Sequence, residues 1–406
     1  MKIIDGAITY PKGFLAAGMH CGLKRKRHDL ALLLSENMAN AAAVYTKNIV
    51  KAAPLDVTKA HLADGKLRAV VVNSGNANSC APDGMENALF MCQTVAEQLN
   101  INASDVAVSS TGVIGQSLTP KRDILVSGIT HLAKNLGDAS EDAENAAKAI
   151  MTTDLTKKEC VTQIMLDGKE VRIAAMAKGS GMIHPNMGTM LAFITTDANI
   201  SSEMLQKALL LVTDRSFNRI SVDGDCSTND FCLIMANGMA ENPEITEDCD
   251  HFASFVAALE EICVYLARAI ASDGEGATHL ITCQVEGTKS EEDAADIARS
   301  VISSSLVKSA IFGRDANWGR ILCAMGYSGV SFNPDMASIS FVSIAGEVLV
   351  CQNGKGVSFD EALALKVLEP HEIIIQITLA EGESSATCWG CDLTYDYVKI
   401  NGEYRT

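Results

Sequence analysis

Residues 178–197 read KGSGMIHPNMGTMLAFITTD, a glycine-rich loop that runs directly into an apolar segment typical of a β-strand. Thr189 stands at the junction, after Gly188, which has no side chain and tolerates strained backbone. This geometry would let the Thr189 hydroxyl attack the Gly188 carbonyl, and hydrolysis of the ester formed would leave Thr189 with a free α-amine. The simpler interpretation is a loop that enters a core strand with a buried threonine.

The freed α-amine would supply the general base that the Thr189 hydroxyl needs. A threonine hydroxyl is a poor nucleophile until a base takes its proton, and an N-terminal threonine carries that base itself. The pKa of such an α-amine is about 7.7–8.0, so on the order of a tenth of the molecules carry a neutral amine at pH 7. That fraction is enough for general-base catalysis. The segment therefore raises the hypothesis of a self-cleaving N-terminal nucleophile at Thr189.

Strand-like and helix-like segments alternate along most of the chain outside this stretch. We predict strands at 67–72, 106–109, 171–176, 190–195, 231–235 and 279–285, and helices at 140–151, 202–216, 252–272 and 291–304. This order predicts an α/β fold of layered helices and mixed β-sheets, with an αββα-like core. The polar stretch 286–292 suggests a core domain of residues 1–285, which contains the cleavage site, and a smaller C-terminal α/β domain of residues 286–406.

The net charge of −17 makes nucleic acid and anionic membranes poor partners. No stretch approaches the roughly 18 apolar residues that a membrane-spanning helix needs. The N-terminus shows no signal-peptide pattern, so we expect a cytoplasmic protein. The basic run KRKR at 24–27 is interpreted as a solvated loop, with an anion site or a localisation tag as the alternatives.

The 13 cysteines are odd in number, scattered and mostly within apolar runs, which is typical of reduced, buried thiols. The pair Cys388 and Cys391 has the CxxC spacing but lacks a second ligand pair, so we predict no zinc or redox site there. The acidic segment DGDCSTND at 223–230 lacks the spacing and terminal glutamate of a calcium loop. We expect a hydrogen-bonded loop there and no bound metal.

Three further polar segments are candidates for a site, and each also fits an ordinary turn. NSGNAN at 73–78 and STGVIG at 110–115 both follow strands, where loops often line a site. In the second, Thr111 and Gly112 place a hydroxyl and a backbone N–H at one spot, as an oxyanion hole requires. In DGEGAT at 273–278, glycines flank Glu275 and would let its carboxylate approach a cationic ligand closely.

Together and in this order, these segments resemble the ornithine acetyltransferase family of arginine biosynthesis. The resemblance covers nearly the whole chain, from PKGF at 11–14 to DLTYDYVKINGEYRT at 392–406. It includes SFNRISVDGDCSTND at 216–230, SDGEGATHL at 272–280 and SAIFGRDANWGR at 309–320. Each motif is weak alone, whereas eight in sequence are highly specific.

The resemblance implies that Thr189 is the nucleophile and that Thr111 and Gly112 form the oxyanion hole. It implies cleavage after Gly188 into an α chain of residues 1–188 and a β chain of residues 189–406, which stay associated as an α2β2 heterotetramer. Gly188 stands where the family usually has alanine, which should ease the strain needed for cleavage, and Cys226 stands where threonine is expected. The residues implied to contact the amino-acid substrate are Thr152, Lys178, Thr189, Glu275, Asn401 and Thr406.

The activity implied is transfer of an acetyl group from N-acetylornithine to glutamate through an acetyl-threonine intermediate, with no metal or organic cofactor. The sequence leaves open whether acetyl-CoA also serves as a co-substrate. One alternative is an N-terminal-nucleophile amidase that passes the acyl group to water. Another is a non-catalytic amino-acid-binding protein in which the chain stays whole and Thr189 is structural.

Overall fold

The computed structural model describes residues 3–4, 6–184 and 190–403. Contacts divide the chain into two compact units, and each has its own sheet and core. The first comprises Met1–Gly179, Pro185–Asn218 and Cys226–Leu266, and the second comprises Ser180–His184, Arg219–Asp225 and Ala267–Thr406.

The elements below are those of the described residues. The strands are β1 Phe14–Met19, β2 Leu30–Tyr45, β3 Lys66–Asn76, β4 Val106–Val113, β5 Lys158–Leu166, β6 Lys169–Lys178, β7 Leu191–Thr196, β8 Ile220–Ser221, β9 Phe231–Ala236, β10 Leu280–Thr288, β11 Ser338–Ser343, β12 Gly346–Gln352, β13 Lys355–Gly356, β14 Glu372–Thr378 and β15 Ser384–Cys391. The helices are α1 Ala53–His61, α2 Gly84–Leu99, α3 Arg122–Lys134, α4 Ser140–Ile150, α5 Ser202–Arg215, α6 Asp250–Ser272, α7 Glu291–Ser303, α8 Ser305–Phe312, α9 Trp318–Gly326, α10 Glu361–Val367 and α11 Tyr395–Gly402.

The sheet of the first unit has the strand order β4-β3-β2-β9-β7-β6-β5, with β1 paired to β2. It is mixed, because β3–β4 and β7–β9 are parallel and the other pairs are antiparallel. Alternate residues of β3 enter two different cores, since Val70 packs with α4 and Val71 packs with α2 and α3. The sheet is thus covered by helices on both faces, which explains why β7, LAFITT, is buried at every position.

The sheet of the second unit has the order β13-β12-β11-β14-β10-β15-β8 and is also mixed. Helix α7 begins at the N-cap Ser290, whose side chain accepts a hydrogen bond from the Asp293 backbone N–H. Its apolar face, which includes Ile297 and Val301, packs into the same core as β10. The boundary expected after residue 285 falls inside this unit, because β10 pairs with both β14 and β15.

The expected α/β class with mixed sheets is confirmed. All thirteen cysteines lie among the described residues and are free thiols. Burial raises the pKa of the Cys388 thiol to about 12 and also raises that of Cys391, so both thiols of the CxxC pair are protonated. No helix in the described part of the chain is both long enough and apolar enough to cross a membrane.

Candidate active site

The ends of β3 and β4 approach each other unusually closely. The parallel register places Ser74 beside Thr111 and Gly75 beside Gly112. The φ angles of Gly75 and Gly112 are +96° and +132°, which side chains rarely tolerate, and a Cβ on Gly112 would collide with the Gly75 backbone. Glycine is therefore required at residue 112 for Thr111 to be held at this strand end.

Buried side chains hold these two strand ends together. The Ser110 hydroxyl donates to Asn73 Oδ1 at 2.6 Å, and Asn73 Nδ2 donates to the Asn76 carbonyl at 2.9 Å. Asn229 Nδ2 donates to the carbonyls of both Ala77 and Ser110, at 2.6 and 2.8 Å. Such a satisfied polar network is rigid, so it fixes the position of the strand end that carries Thr111.

Asn229 also connects this network to the start of β7, an interior strand of the first sheet. It lies two residues before Phe231, the first residue of β9, whose N–H donates to the Met190 carbonyl at 3.0 Å. Met190 is buried and follows Thr189 directly in the chain. Gly188 and Thr189 themselves lie outside the described residues. Asn229 was not predicted as a site residue, although it lies in the polar segment 223–230.

Two further residues that were predicted for the site, Thr152 and Lys178, lie near Asp154, which is fully buried. Its Oδ2 accepts the Thr152 N–H at 2.9 Å, and its Oδ1 accepts the Gly179 N–H at 2.7 Å and Lys158 Nζ at 2.8 Å. Burial would raise the pKa of Asp154, but the positive charges of Lys178 and Lys158 hold it well below its usual value. An ionised carboxylate therefore brings Thr152 close to the end of β6, where Lys178 is buried.

The basic run 24–27 contributes a residue to the same region. Lys24 is partly buried, and its Nζ donates to the carbonyls of His28 at 2.9 Å and Met151 at 2.5 Å. Burial lowers the pKa of Lys24 to about 8, and the charge of Lys178 contributes to the decrease. The interpretation of this run as a solvated loop is therefore wrong for Lys24.

The second unit brings together two other predicted residues. Glu275 is buried, and its Oε2 accepts a hydrogen bond from Asn401 Nδ2 at 2.8 Å. Its backbone N–H donates to the Ser180 carbonyl at 2.9 Å, and a Cβ on Gly181 would collide with its carboxylate. Gly181 therefore allows the carboxylate to lie directly against the backbone. Thr406 lies outside the described residues.

The acidic segment 223–230 is hydrogen-bonded within its own surroundings. The Asp223 carboxylate accepts the backbone N–H groups of Met182 and Ile183, at 2.6 and 2.8 Å. Cys226 Sγ lies 3.6 Å from the Thr46 hydroxyl. Within residues 3–4, 6–184 and 190–403, no group of three or more histidine, cysteine, aspartate or glutamate residues could hold a metal ion.

Buried hydroxyl, amide and ammonium groups gathered at the strand ends of a mixed α/β unit are typical of an enzyme. The model of the ArgJ family matches residues 15–406. The chain is 51% identical to the arginine biosynthesis bifunctional protein ArgJ of Caldanaerobacter subterraneus subsp. tengcongensis and 49% identical to that of Listeria monocytogenes serovar 1/2a, with 100% of both chains covered in each case. The chain therefore belongs to the ArgJ family.

A solved structure agrees with this assignment. The crystal structure of the arginine biosynthesis bifunctional protein ArgJ from Bacillus halodurans is 46% identical, with a TM-score of 0.50, and covers 53% of this chain and 99% of its own. The expected family and the expectation that the chain is an acyltransferase are thus confirmed. The roles of the individual site residues remain predictions.

Proposed function

We propose that this chain transfers the acetyl group of N-acetylornithine to glutamate, with Thr189 as the nucleophile. The observation that carries the proposal is a pair of hydrogen bonds made by one short segment of chain. Asn229 donates to the carbonyl of Ser110, the residue before Thr111, and the backbone N–H of Phe231 donates to the Met190 carbonyl. This segment ties the strand end expected to form the oxyanion hole to the residue that follows Thr189. An acyl-transfer site needs this combination of a nucleophile and fixed donors.

The proposed reaction has two balanced halves. The Thr189 oxygen attacks the acetyl carbonyl while the Thr189 α-amine takes the hydroxyl proton, and collapse of the oxyanion passes that proton to the departing ornithine amine. The glutamate amine then attacks acetyl-Thr189, and the proton it loses returns through the α-amine to the Thr189 oxygen. The Thr111 hydroxyl and the Gly112 N–H donate to the oxyanion in both halves.

The proposed substrate contacts follow from the charges of these residues. Lys178 binds the substrate carboxylate, and Thr152 adds a hydroxyl beside the buried Asp154. Glu275, hydrogen-bonded to Asn401, binds an ammonium group, either that of ornithine or the α-amine of Thr189. We retain Thr406 as the sixth contact, as the resemblance implies.

We further propose that the chain cleaves itself between Gly188 and Thr189 and that the fragments assemble as an α2β2 heterotetramer. The relatives named ArgJ match this chain over its whole length, whereas the solved chain from Bacillus halodurans matches only 53% of it. Residues 189–406 make up about that share of the chain. A solved chain of this length supports cleavage within the family.

Acetate release distinguishes transfer from hydrolysis. Purified protein is incubated with N-acetylornithine, with and without glutamate, and N-acetylglutamate, ornithine and acetate are measured. We expect ornithine and N-acetylglutamate in equal amounts when glutamate is present, and little acetate without it. Acetate release at a comparable rate without glutamate would identify the enzyme as an amidase and overturn the transferase proposal.

The name "bifunctional" carried by the relatives favours acetyl-CoA as a second acetyl donor, in line with the co-substrate considered from the sequence. We expect the chain to form N-acetylglutamate from acetyl-CoA and glutamate, through the same acetyl-Thr189. The measurement is N-acetylglutamate by mass spectrometry, because free cysteines would disturb a thiol-based assay. Thr189→Ala protein is the control, and a product level equal to that control would limit the chain to transfer from N-acetylornithine.

A further inference from the structure

The basic run 24–27 is divided between two environments. Arg25, Lys26 and Arg27 are exposed, in agreement with a solvated loop, whereas Lys24 is partly buried. The charged groups of Lys24 and of the exposed Arg27 hydrogen-bond to the backbone of residues 151–154. This segment follows helix α4 and contains Thr152, which the proposed function places against the substrate.

Lys24 is positioned by a buried carboxylate and by a glycine. Asp29 is fully buried and accepts the backbone N–H groups of Cys21, Gly22 and Lys24, at 2.6, 3.2 and 2.9 Å. The loop 21–24 is therefore wound around one carboxylate. The Lys24 side chain passes over Gly75, where a Cβ would lie only 2.9 Å from Lys24 Cγ. Residue 75 must therefore be small, because both the Lys24 side chain and the Gly112 backbone lie against it.

The two cations hydrogen-bond to three backbone carbonyls of the segment 151–154. Lys24 Nζ donates to the Met151 carbonyl, and Arg27 Nη1 donates to the carbonyls of Thr152 and Asp154, both at 3.2 Å. Met151 is the C-cap of α4, where carbonyls lack helical partners and a cation is favoured by the helix dipole. The Asp154 carboxylate accepts a hydrogen bond from the Thr152 N–H of the same segment.

We propose that Lys24 is a positioning residue of the active site, which holds Thr152 through the Met151 carbonyl and adds its positive charge to that of Lys178 where the substrate carboxylate binds. The inference rests on the proposed function. It assigns Lys24 to substrate binding and leaves the acyl-transfer step to Thr189 and Thr111. Removing Lys24 should therefore change KM much more than kcat.

The charge of Lys24 gives this inference a distinctive pH dependence. Its pKa of about 8 is lowered from the usual lysine value, so the ammonium is present below pH 8 and is lost above it. The KM for N-acetylornithine should accordingly rise above pH 8, because the substrate carboxylate loses an attractive charge. The charged and titratable groups around Lys24 are Asp29, Lys178, Arg27, Asp154 and His28.

The test compares Lys24→Met, Lys24→Arg and the exposed Lys26→Met in the cleaved enzyme, with N-acetylornithine as the varied substrate from pH 6.5 to 9.5. We expect Lys24→Met to raise KM about tenfold at pH 7, on the scale of one charge-assisted hydrogen bond, with kcat within about threefold. Its KM should no longer rise above pH 8. Lys24→Arg should restore most of the affinity and keep KM low at higher pH, since arginine does not titrate there.

Lys26→Met should match the wild-type protein at every pH, because Lys26 lies on the same run but is exposed. Equal effects of Lys24→Met and Lys26→Met would overturn the inference, as would a wild-type KM that stays constant across pH 8. If Lys24→Met fails to fold, the pH dependence of KM in Lys24→Arg tests the inference. A KM that rises at the same pH in Lys24→Arg as in the wild-type protein would contradict it. A wild-type enzyme without glutamate-dependent transfer would instead reject the proposed function on which it rests.

Discussion

Thr189→Ala should leave the chain as one polypeptide of 406 residues with no measurable transfer of acetyl groups. The substitution removes the hydroxyl that attacks the Gly188 carbonyl, so neither the cleavage nor the new α-amine can form. Loss of a nucleophile in acyl-transfer enzymes lowers kcat by roughly 10⁴-fold or more. The measurement is a denaturing gel with N-terminal sequencing, followed by the N-acetylornithine and glutamate assay.

Thr189→Ser should retain part of both activities, because serine keeps a hydroxyl and would expose the same α-amine. Thr195→Ala is the matched control, since Thr195 is a buried threonine six residues further along whose hydroxyl donates to the Ile8 carbonyl at 2.6 Å. It should cost stability and leave cleavage intact. A fragment that begins at residue 189 in the Thr189→Ala protein would contradict the assignment of the nucleophile.

The fold could be predicted where a segment's own composition decides its structure. Strand β7 was expected at 190–195 and lies at Leu191–Thr196, and α4 was expected at 140–151 and lies at Ser140–Ile150. Strand β2 was not predicted, because its sequence LALLLSENMANAAAVY is rich in alanine and has an exposed polar stretch in its middle. Pairing with β1, β3 and β9 determines that strand, and this pairing cannot be read from local sequence.

The candidate site could likewise be predicted only in part from the sequence. The glycines of NSGNAN and STGVIG indicated loops after strands, whereas in the structure β3 continues to Asn76 and β4 to Val113, and Gly75 lies against Gly112. Asp154 was not recognised, because a single aspartate in a polar stretch carries no pattern, and its importance comes from burial beside Lys158 and Lys178. Lys24 was misinterpreted for the same reason, because its burial depends on Asp29 and on distant residues.

Thr111→Ala should lower kcat for acetyl transfer by roughly two to three orders of magnitude, which is the typical effect of removing one oxyanion donor. KM should change much less, because the donor acts mainly on the charge that develops in the transition state. Thr111 is buried at the end of β4, and its hydroxyl has no hydrogen-bond partner among the described residues. The hydroxyl is therefore available to a developing oxyanion. Kinetics are measured on cleaved protein, so that an effect on maturation is not counted as an effect on transfer.

Thr58→Ala is the matched control for this experiment. The Thr58 hydroxyl donates to the carbonyl of Val108 and accepts its N–H, so it supports the same strand β4 away from the expected oxyanion hole. Its loss should lower the free energy of unfolding, because each of these two buried hydrogen bonds contributes roughly 1 kcal/mol to stability. It should leave kcat of the folded enzyme within about threefold, because Thr58 lies away from the expected oxyanion hole. Thr111→Ser should keep most of kcat, since the hydroxyl remains on a strand end fixed by Ser110 and Asn229. If Thr111→Ala transfers acetyl groups at the wild-type rate, Thr111 is not an oxyanion donor, and the Gly112 N–H must serve with another group.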